Sequence, residues 1–213
     1  IENIDIDDRG DAHSQYIVTY RTDATGLESS AGFFNYQELT NRKFDSQHNV
    51  INQMISTYSD EAGADIRDVQ EVRSVGFYPS GVAMRQVAAI YADKDKRSLI
   101  DIRVTENKKI SSLEGNVGMS IVTRYANATI ADNGTGDIIY TDPIDVQTIE
   151  TTSFDARGNA LGQSLTKEYY DKGVLTFSET QKIINDPYDI HDRTTRSRTL
   201  YYTDRDFKDF RYL

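Results

Sequence analysis

The sequence predicts an all-β protein built from tandem antiparallel β-hairpins of about 34 residues each. Three observations lead to this fold class. One turn motif recurs along the chain, the segments on either side of it are rich in β-branched and aromatic residues, and helical periodicity is not sustained anywhere. The clearest copy of the motif is 153–163, in which an aromatic residue precedes Asp-x-x-Gly-Asn and an apolar run containing Gln follows it. Stacked hairpins of this kind are expected to form one continuous sheet that is twisted, spiral or barrel-like.

The repeat is visible as columns of similar residues. The last position of the turn is occupied by Asp11, Asn49, Val82, Asn116, Asn159 and Arg193. Nine residues later the chain has Tyr20, Tyr58, Tyr91, Tyr125, Glu168 and Tyr202, and four residues later it has Gln15, Gln53, Gln86, Ser120, Gln163 and Ser197. We interpret 1–213 as a single repeat array with units at approximately 1–35, 36–67, 68–99, 100–143, 144–178 and 179–205 and a partial seventh unit at 206–213.

Each unit is predicted to consist of a leading strand, a tight turn and a trailing strand. The turn Asp is placed where its carboxylate can accept backbone N–H groups, and Gly or Asn follows where a positive φ is needed. We assume that the residue five before the last turn position pairs with the residue directly after that position. Leu39 then lies opposite Ile55, and Asn41 lies opposite Gln53. The Gln columns allow two interpretations, a solvated face or a ladder of amides that bond from strand to strand.

Composition excludes several classes of function. The chain has 213 residues and a formal net charge of −10, which argues against nucleic-acid binding because phosphates require a basic surface. Cysteine is absent, so disulfides and thiolate metal sites are excluded. No apolar run approaches the roughly 18 residues that span a bilayer. The chain opens on Ile1 inside a strand pattern and closes on 207–213, which is similar to the start of another unit. We therefore expect a fragment of a longer, secreted or cell-surface repeat protein.

No residue is assigned to a catalytic, cofactor-binding or metal site. The histidines, His13, His48 and His191, lie in different units at different offsets, so neither a Ser/His/Asp arrangement nor a metal-ligand set can be built from them. The acidic connection 132–137 (Asp-Asn-Gly-Thr-Gly-Asp) is the best candidate for a calcium loop, with solvated loop charge as the alternative. Arg9-Gly10-Asp11 matches an adhesion tripeptide but also fits the turn motif. Asn127 and Asn133 each begin an N-glycosylation pattern.

The turns resemble a known family. The segments 154–161 (Phe-Asp-Ala-Arg-Gly-Asn-Ala-Leu), 44–49 (Phe-Asp-Ser-Gln-His-Asn) and 188–193 (Tyr-Asp-Ile-His-Asp-Arg) are similar to the tyrosine–aspartate (YD) repeats of Rhs-type and teneurin-type shells. Tyr78 and Ser112 replace the Asp in units three and four. The resemblance implies hairpins that spiral into large hollow sheets, with a structural or surface role.

These observations lead to one expected function and one alternative. The expected function is a non-catalytic structural segment of a larger extracellular or cell-surface protein, which assembles into a filament, fibre or shell through strand addition at its open end strands. The alternative is an adhesin or binding module whose variable connections bind glycan or protein.

Overall fold

A computed structural model describes residues 1–21, 32–110, 115–190 and 192–212. These residues form one antiparallel sheet in which the strand order follows the chain order. The elements are β1 (Glu2–Ile6), β2 (Ala12–Arg21), β3 (Gly32–Phe44), β4 (Val50–Tyr58), β5 (Ile66–Phe77), β6 (Ala83–Tyr91), β7 (Leu99–Ile110), β8 (Val117–Ile130), α1 (Ala131–Gly134), β9 (Ile138–Phe154), β10 (Ala160–Asp171), β11 (Val174–Asn185), β12 (Ser197–Tyr202) and β13 (Phe210–Tyr212).

The predicted fold class is confirmed. Successive strands pair as hairpins, numbered from hairpin 1 (β1 with β2) to hairpin 6 (β11 with β12), and β13 adds to the free edge of β12. Among the described residues β1 and β13 have one neighbouring strand each, so the sheet is not closed. Of the forms expected from the sequence, a closed barrel is therefore not adopted.

The predicted register is also confirmed in the pairs β3–β4, β9–β10 and β11–β12. Leu39 lies opposite Ile55 and Asn41 lies opposite Gln53. The pairing rule holds at the turns, where the opposed residues are Ile6 and Ala12, Phe44 and Val50, and Phe154 and Ala160. Register follows from the hydrophobic pattern because a shift by one residue moves every side chain to the other face.

The turn aspartates close the hairpins as expected. Asp45 Oδ1 accepts the backbone N–H groups of Gln47 at 2.8 Å and Asn49 at 2.9 Å. Asp7 and Asp155 make the same bonds in their own turns. In hairpin 3, Tyr78 N–H still donates to the Val82 carbonyl at 2.9 Å. The backbone turn therefore persists where the Asp is replaced.

Aspartates also organise several connections between hairpins. The Asp60 carboxylate accepts the N–H groups of Ala64 at 2.9 Å and Asp65 at 2.8 Å. Asp93 and Asp204 bond in the same way to the fourth and fifth residues after them. Between β10 and β11 the turn is instead Lys172-Gly173, with φ of 49° and 82°. Positive φ at both central residues is the geometry of a two-residue I′ hairpin turn.

The predicted unit boundaries stay a prediction and do not coincide with strand ends. Those at 35/36, 67/68, 99/100, 143/144 and 178/179 fall inside β3, β5, β7, β9 and β11. The connection that contains 132–137 is a short turn at 131–137, because β8 continues to Ile130 and β9 begins at Ile138. Pairing with neighbouring strands outweighs the weak strand composition of this stretch. Most of the Gly-rich connection between the first two hairpins, 22–31, lies outside the described residues.

The chain forms two compact units. Unit 1 comprises Ile1–Val75, Val87–Ile102 and Asn127–Tyr140, and unit 2 comprises Gly76–Gln86, Arg103–Ala126 and Thr141–Leu213. The buried apolar residues of unit 1 are Tyr58, Val69, Val87, Ala89, Tyr91, Ile102 and Ile138. In the described part of unit 2 the buried residues are Val104, Thr180 and Gln181. Unit 1 therefore contains most of the hydrophobic core.

Candidate functional site

A buried carboxylate, Glu71 of β5, lies at the centre of unit 1 with no exposed surface. The Arg42 guanidinium of β3 binds it through two contacts, Nη1 to Oε2 at 2.7 Å and Nη2 to Oε1 at 2.9 Å. The pairing of β3 with β4 passes from Asn41 directly to Lys43, so Arg42 is a bulge residue. A bulge redirects its side chain, which explains how an alternating strand presents Arg42 to Glu71.

Two more cations face the same carboxylate. Arg73 Nη1 lies 2.9 Å from Glu71 Oε2, and Lys96 Nζ lies 2.5 Å from Oε1. Burial raises the pKa of Glu71, but hydrogen bonds from Arg42, Lys96 and Arg73 outweigh it and hold the pKa below its ordinary value. Glu71 is therefore ionised at neutral pH, and we call these four residues the Glu71 cluster.

The Glu71 cluster holds the turn 131–137. Three consecutive carbonyls of the turn accept side-chain bonds: Gly134 from Lys96 Nζ at 3.0 Å, Thr135 from Asn52 Nδ2 at 2.8 Å, and Gly136 from Arg73 Nε at 2.8 Å. Because these acceptors belong to the main chain, the contacts fix the path of the backbone. The turn is consequently anchored to β4, β5 and the connection after β6.

The local backbone explains how the turn offers its carbonyls. Ala131 N–H donates to Asp137 O at 2.9 Å, just as Ser59 N–H donates to Asp65 O in the connection at 59–65. Asp132 and Asn133, however, have φ of 50° and 53°, in the left-handed region that Asp and Asn tolerate. The carboxylate of Asp132 caps no N–H group of its own turn, unlike that of Asp60.

Two polar recesses flank the docked turn. One has a volume of about 460 Å³ and is lined by Lys94, Lys96, Thr129 and Asn133, among others. The other has a volume of about 330 Å³ and is lined by Lys43, Asn52, Arg73, Asp132 and Asp137, among others. Both recesses are lined by hydrogen-bonding groups and by side chains of both charges. The turn lies between them, and the lining of each recess suits a polar ligand.

The calcium loop expected at 132–137 stays a prediction. Its carbonyl groups at 134–136 already accept bonds from Lys96, Asn52 and Arg73, and the Asp132 and Asp137 side chains are exposed. No group of three or more His, Asp or Glu side chains that could hold a metal occurs in the described part of the chain. A calcium ion bound to these carbonyls would lie beside two cationic side chains, which oppose its charge.

The structure brings His13 and His48 to the same pair of turns. His48 Nδ1 lies 2.7 Å from Asp11 Oδ1, and His13 Nε2 lies 3.5 Å from Asp7 Oδ2. His191 lies outside the described residues. Only the His48 contact with Asp11 links two neighbouring turns, whereas His13 contacts Asp7 of its own hairpin and reaches the next hairpin through the Asn41 carbonyl, 3.1 Å from Nδ1.

The Arg9-Gly10-Asp11 tripeptide belongs to this turn contact. Arg9 Nη2 donates to Asp45 O in the next turn at 2.9 Å. The Asp11 side chain is only 5% exposed. A receptor that binds both the Arg and the Asp side chains of the tripeptide could not reach the buried Asp11 carboxylate. The contacts of the turn therefore account for the motif.

The same turn-to-turn contact recurs in unit 2 with different residues. Asn159 Nδ2 donates to Asp192 Oδ1 at 2.9 Å, as Asp11 contacts His48. Arg157 donates to the Asp189 carbonyl, as Arg9 donates to that of Asp45. Counted with the turn Asp (or its equivalent) as the first residue, the fifth residue of one turn contacts the fourth residue of the next turn.

The Gln column forms a ladder in the first two hairpins. Gln53 Nε2 donates to Asn41 Oδ1 at 2.7 Å, Asn41 Nδ2 lies 3.4 Å from Gln15 Oε1, and Gln15 Nε2 donates to Asn3 Oδ1 at 2.8 Å. One chain of amides thus crosses β4, β3, β2 and β1. Of the two interpretations left open by the sequence, the ladder applies here.

Sequence reasoning missed the Glu71 cluster. The available signal was an acid and a base, Glu71 and Arg73, at successive same-face positions of a strand that also carries Val69. Both N-glycosylation asparagines, Asn127 and Asn133, are exposed. The only helical segment in the described ranges, α1, has four residues, so no helix there is long enough to cross a membrane.

Comparison with known protein families, with characterised proteins and with solved structures gave no match to this chain. The resemblance of its turns to YD repeats therefore stays a prediction.

Proposed function

We propose that this chain is a non-catalytic structural repeat segment of a larger secreted or cell-surface protein. The observation that carries the proposal is a contact between hairpins that recurs in three places. Asn41, Asn107 and Asn185 each donate to the carbonyl of the first residue of a preceding trailing strand: Ala12 at 2.8 Å, Ala83 at 2.9 Å and Ala160 at 2.8 Å. Side-chain amides that bond to the backbone of the neighbouring hairpin stabilise the array itself.

The recurrence has a period of two hairpins. Each Asn lies in an even-numbered hairpin, and each acceptor lies in the hairpin just before it. The turn contacts of Arg9 and Arg157 join the same pairs, hairpins 1 with 2 and 5 with 6. These contacts therefore repeat every four strands, and repeated contacts between neighbouring hairpins stabilise an array as in other repeat proteins.

Assembly by strand addition follows from the open sheet. The outer edges of β1 and β13 have no neighbouring strand among the described residues, and Ile6 and Phe210 on them are exposed. Unpaired N–H and C=O groups beside apolar side chains favour pairing with another strand. The proposed partner is a second copy of the chain, and a net charge of −10 disfavours nucleic acid.

Light scattering and negative-stain imaging over a range of concentrations test the structural role. We expect mass to increase with concentration and elongated assemblies to form. The variant Arg211→Pro, which removes a backbone donor from β13, should reduce the association. A chain that stays monomeric at all concentrations would contradict assembly.

A binding module is the second candidate, and the two recesses beside the docked turn favour it. Their volumes of about 460 and 330 Å³ lie within the range of small-molecule sites. A glycan array probed with the intact chain separates the two roles, because a purely structural segment retains no glycan.

A further inference from the structure

A shallow recess in unit 2 has the composition of a sugar-binding site. It has a volume of about 150 Å³ and is lined by Asp145, Gln147, Lys167, Glu168, Tyr169 and Ser178. The sheet register brings its floor together, because Gln147 lies opposite Lys167 and Asp145 lies opposite Tyr169 on β9 and β10. Side chains at alternate positions of paired strands share one face, so the four project to the same side.

The charged groups of this recess form ion pairs, and of their oxygen atoms Asp145 Oδ1 is buried without a hydrogen-bond partner among the described residues. Lys167 Nζ contacts Glu179 Oε1 at 3.0 Å, Arg205 Nη2 contacts Glu168 Oε1 at 2.5 Å, and Arg124 Nη1 contacts Asp145 Oδ2 at 3.1 Å. A charged ligand would have to compete with these ion pairs and be desolvated, which makes it a poor fit.

The neutral groups are uncommitted. Within the described part of the chain, the Gln147 amide, the Ser178 hydroxyl and the Tyr169 hydroxyl have no hydrogen-bond partner. The Tyr169 side chain is 45% exposed, so an aromatic face is available beside them. Tyrosine combines a large apolar face with a polar end, which suits a ligand that is apolar on one side and hydroxylated at its rim.

We propose that this recess binds one neutral sugar ring of a glycan chain. The C–H face of the ring packs on Tyr169, and its hydroxyl groups bond to the Gln147 amide and the Ser178 hydroxyl. The inference adds a sugar site in unit 2 to the binding role proposed second, whose two recesses belong to unit 1, and it does not depend on assembly.

Titration of the isotopically labelled chain with oligosaccharides, followed by NMR, tests the proposal. The neutral probes are glucose, mannose and galactose oligomers, and the anionic probes are glucuronate-containing and sialylated ones. We expect a neutral probe to shift the signals of Gln147 and Tyr169. Tyr169→Ala should weaken the binding at least about tenfold, which corresponds to the loss of one aromatic contact.

Two further variants make the test specific. Gln147→Ala should weaken the binding about threefold to tenfold, as expected for the loss of one neutral hydrogen bond. Tyr20→Ala, which removes a tyrosine that is 50% exposed in unit 1, should leave it unchanged. If Tyr169→Ala fails to fold by circular dichroism, Gln147→Ala still decides the outcome.

Three results would overturn the sugar site. They are no shift with any neutral probe at millimolar concentration, binding that Tyr169→Ala and Gln147→Ala leave intact, and stronger binding of the anionic probes. Light scattering on the same samples reports assembly separately, so failure of sugar binding is distinguishable from failure of the structural role.

Discussion

Glu71 shows what one residue contributes when its partners come from distant parts of the chain. Its carboxylate is fully buried and faces Arg42, Arg73 and Lys96. Replacing a buried ionic cluster as a whole is often tolerated, but removing one member leaves uncompensated charge in a region of low dielectric. The sensitivity of unit 1 to Glu71 therefore comes from the cations that would remain.

The substitution Glu71→Gln tests this argument. We expect the free energy of unfolding to fall by about 3–5 kcal/mol, as when one partner of a buried pair is removed. Urea denaturation provides the measurement. The matched control is Glu150→Gln, whose 2.8 Å contact with Lys109 is exposed, and there the loss should stay below about 1 kcal/mol. Equal losses in the two variants would show that burial does not govern the effect.

At the scale of the strand, the junctions between hairpins share one irregularity. The register shifts beside the closing position of the trailing strand, between Thr19 and Tyr20, Thr57 and Tyr58, Lys167 and Glu168, and Tyr201 and Tyr202. A bulge at the same place in these four hairpins increases the local twist in a regular way. Tyrosines at this equivalent position nevertheless differ in burial: Tyr58 is 1% exposed and Tyr20 is 50% exposed.

The two tyrosines should therefore respond differently to truncation. Tyr58→Ala removes a buried ring and its 2.6 Å bond to Glu38, and we expect a loss of about 3–5 kcal/mol. For Tyr20→Ala, an exposed ring at the equivalent position, we expect about 1 kcal/mol or less. Thermal or urea unfolding measures both. A similar loss at both positions would mean that the column contributes through the bulge alone and not through burial.

For the whole molecule, the turn carboxylates predict acid sensitivity. The Asn49 side chain and its N–H group lower the pKa of Asp45, and backbone N–H groups lower those of Asp7, Asp60, Asp93 and Asp204, from an ordinary value of 3.8. A carboxylate with a lowered folded-state pKa stabilises the fold above its ordinary value. That contribution is lost as the pH falls through the folded-state pKa.

Melting temperature measured between pH 7 and pH 3 tests this. It should be nearly constant above about pH 5 and fall below about pH 4, because the unfolded chain then binds protons that the folded turns and Glu71 release until a lower pH. The decrease should be smaller in Asp45→Asn, which has one titrating carboxylate fewer. A melting temperature that is unchanged down to pH 3 would contradict the role assigned to the turns.

Turn position and register were predictable because both are local. Asp45 reaches N–H groups only two and four residues away, and the alternation that sets Leu39 opposite Ile55 is contained within one hairpin. The ends of β8 and β9 were not predictable from the sequence, since strand ends depend on the neighbouring strand more than on composition. The Gln column was ambiguous because Gln53 and Gln15 bond within their own hairpins, whereas the ladder depends on the contact of Asn41 with Gln15 of the preceding hairpin.

The sequence by itself determined the all-β class, the turns and the pairing within hairpins, because spacing of a few residues specifies the hydrogen bonds involved. Only the tertiary structure decided that Glu71 gathers Arg42, Arg73 and Lys96 and that the turn 131–137 docks on them. Those partners are separated by tens of residues and meet through the order of strands, a bulge at Arg42 and the left-handed backbone of Asp132 and Asn133. None of these three features produces a periodic pattern in the sequence.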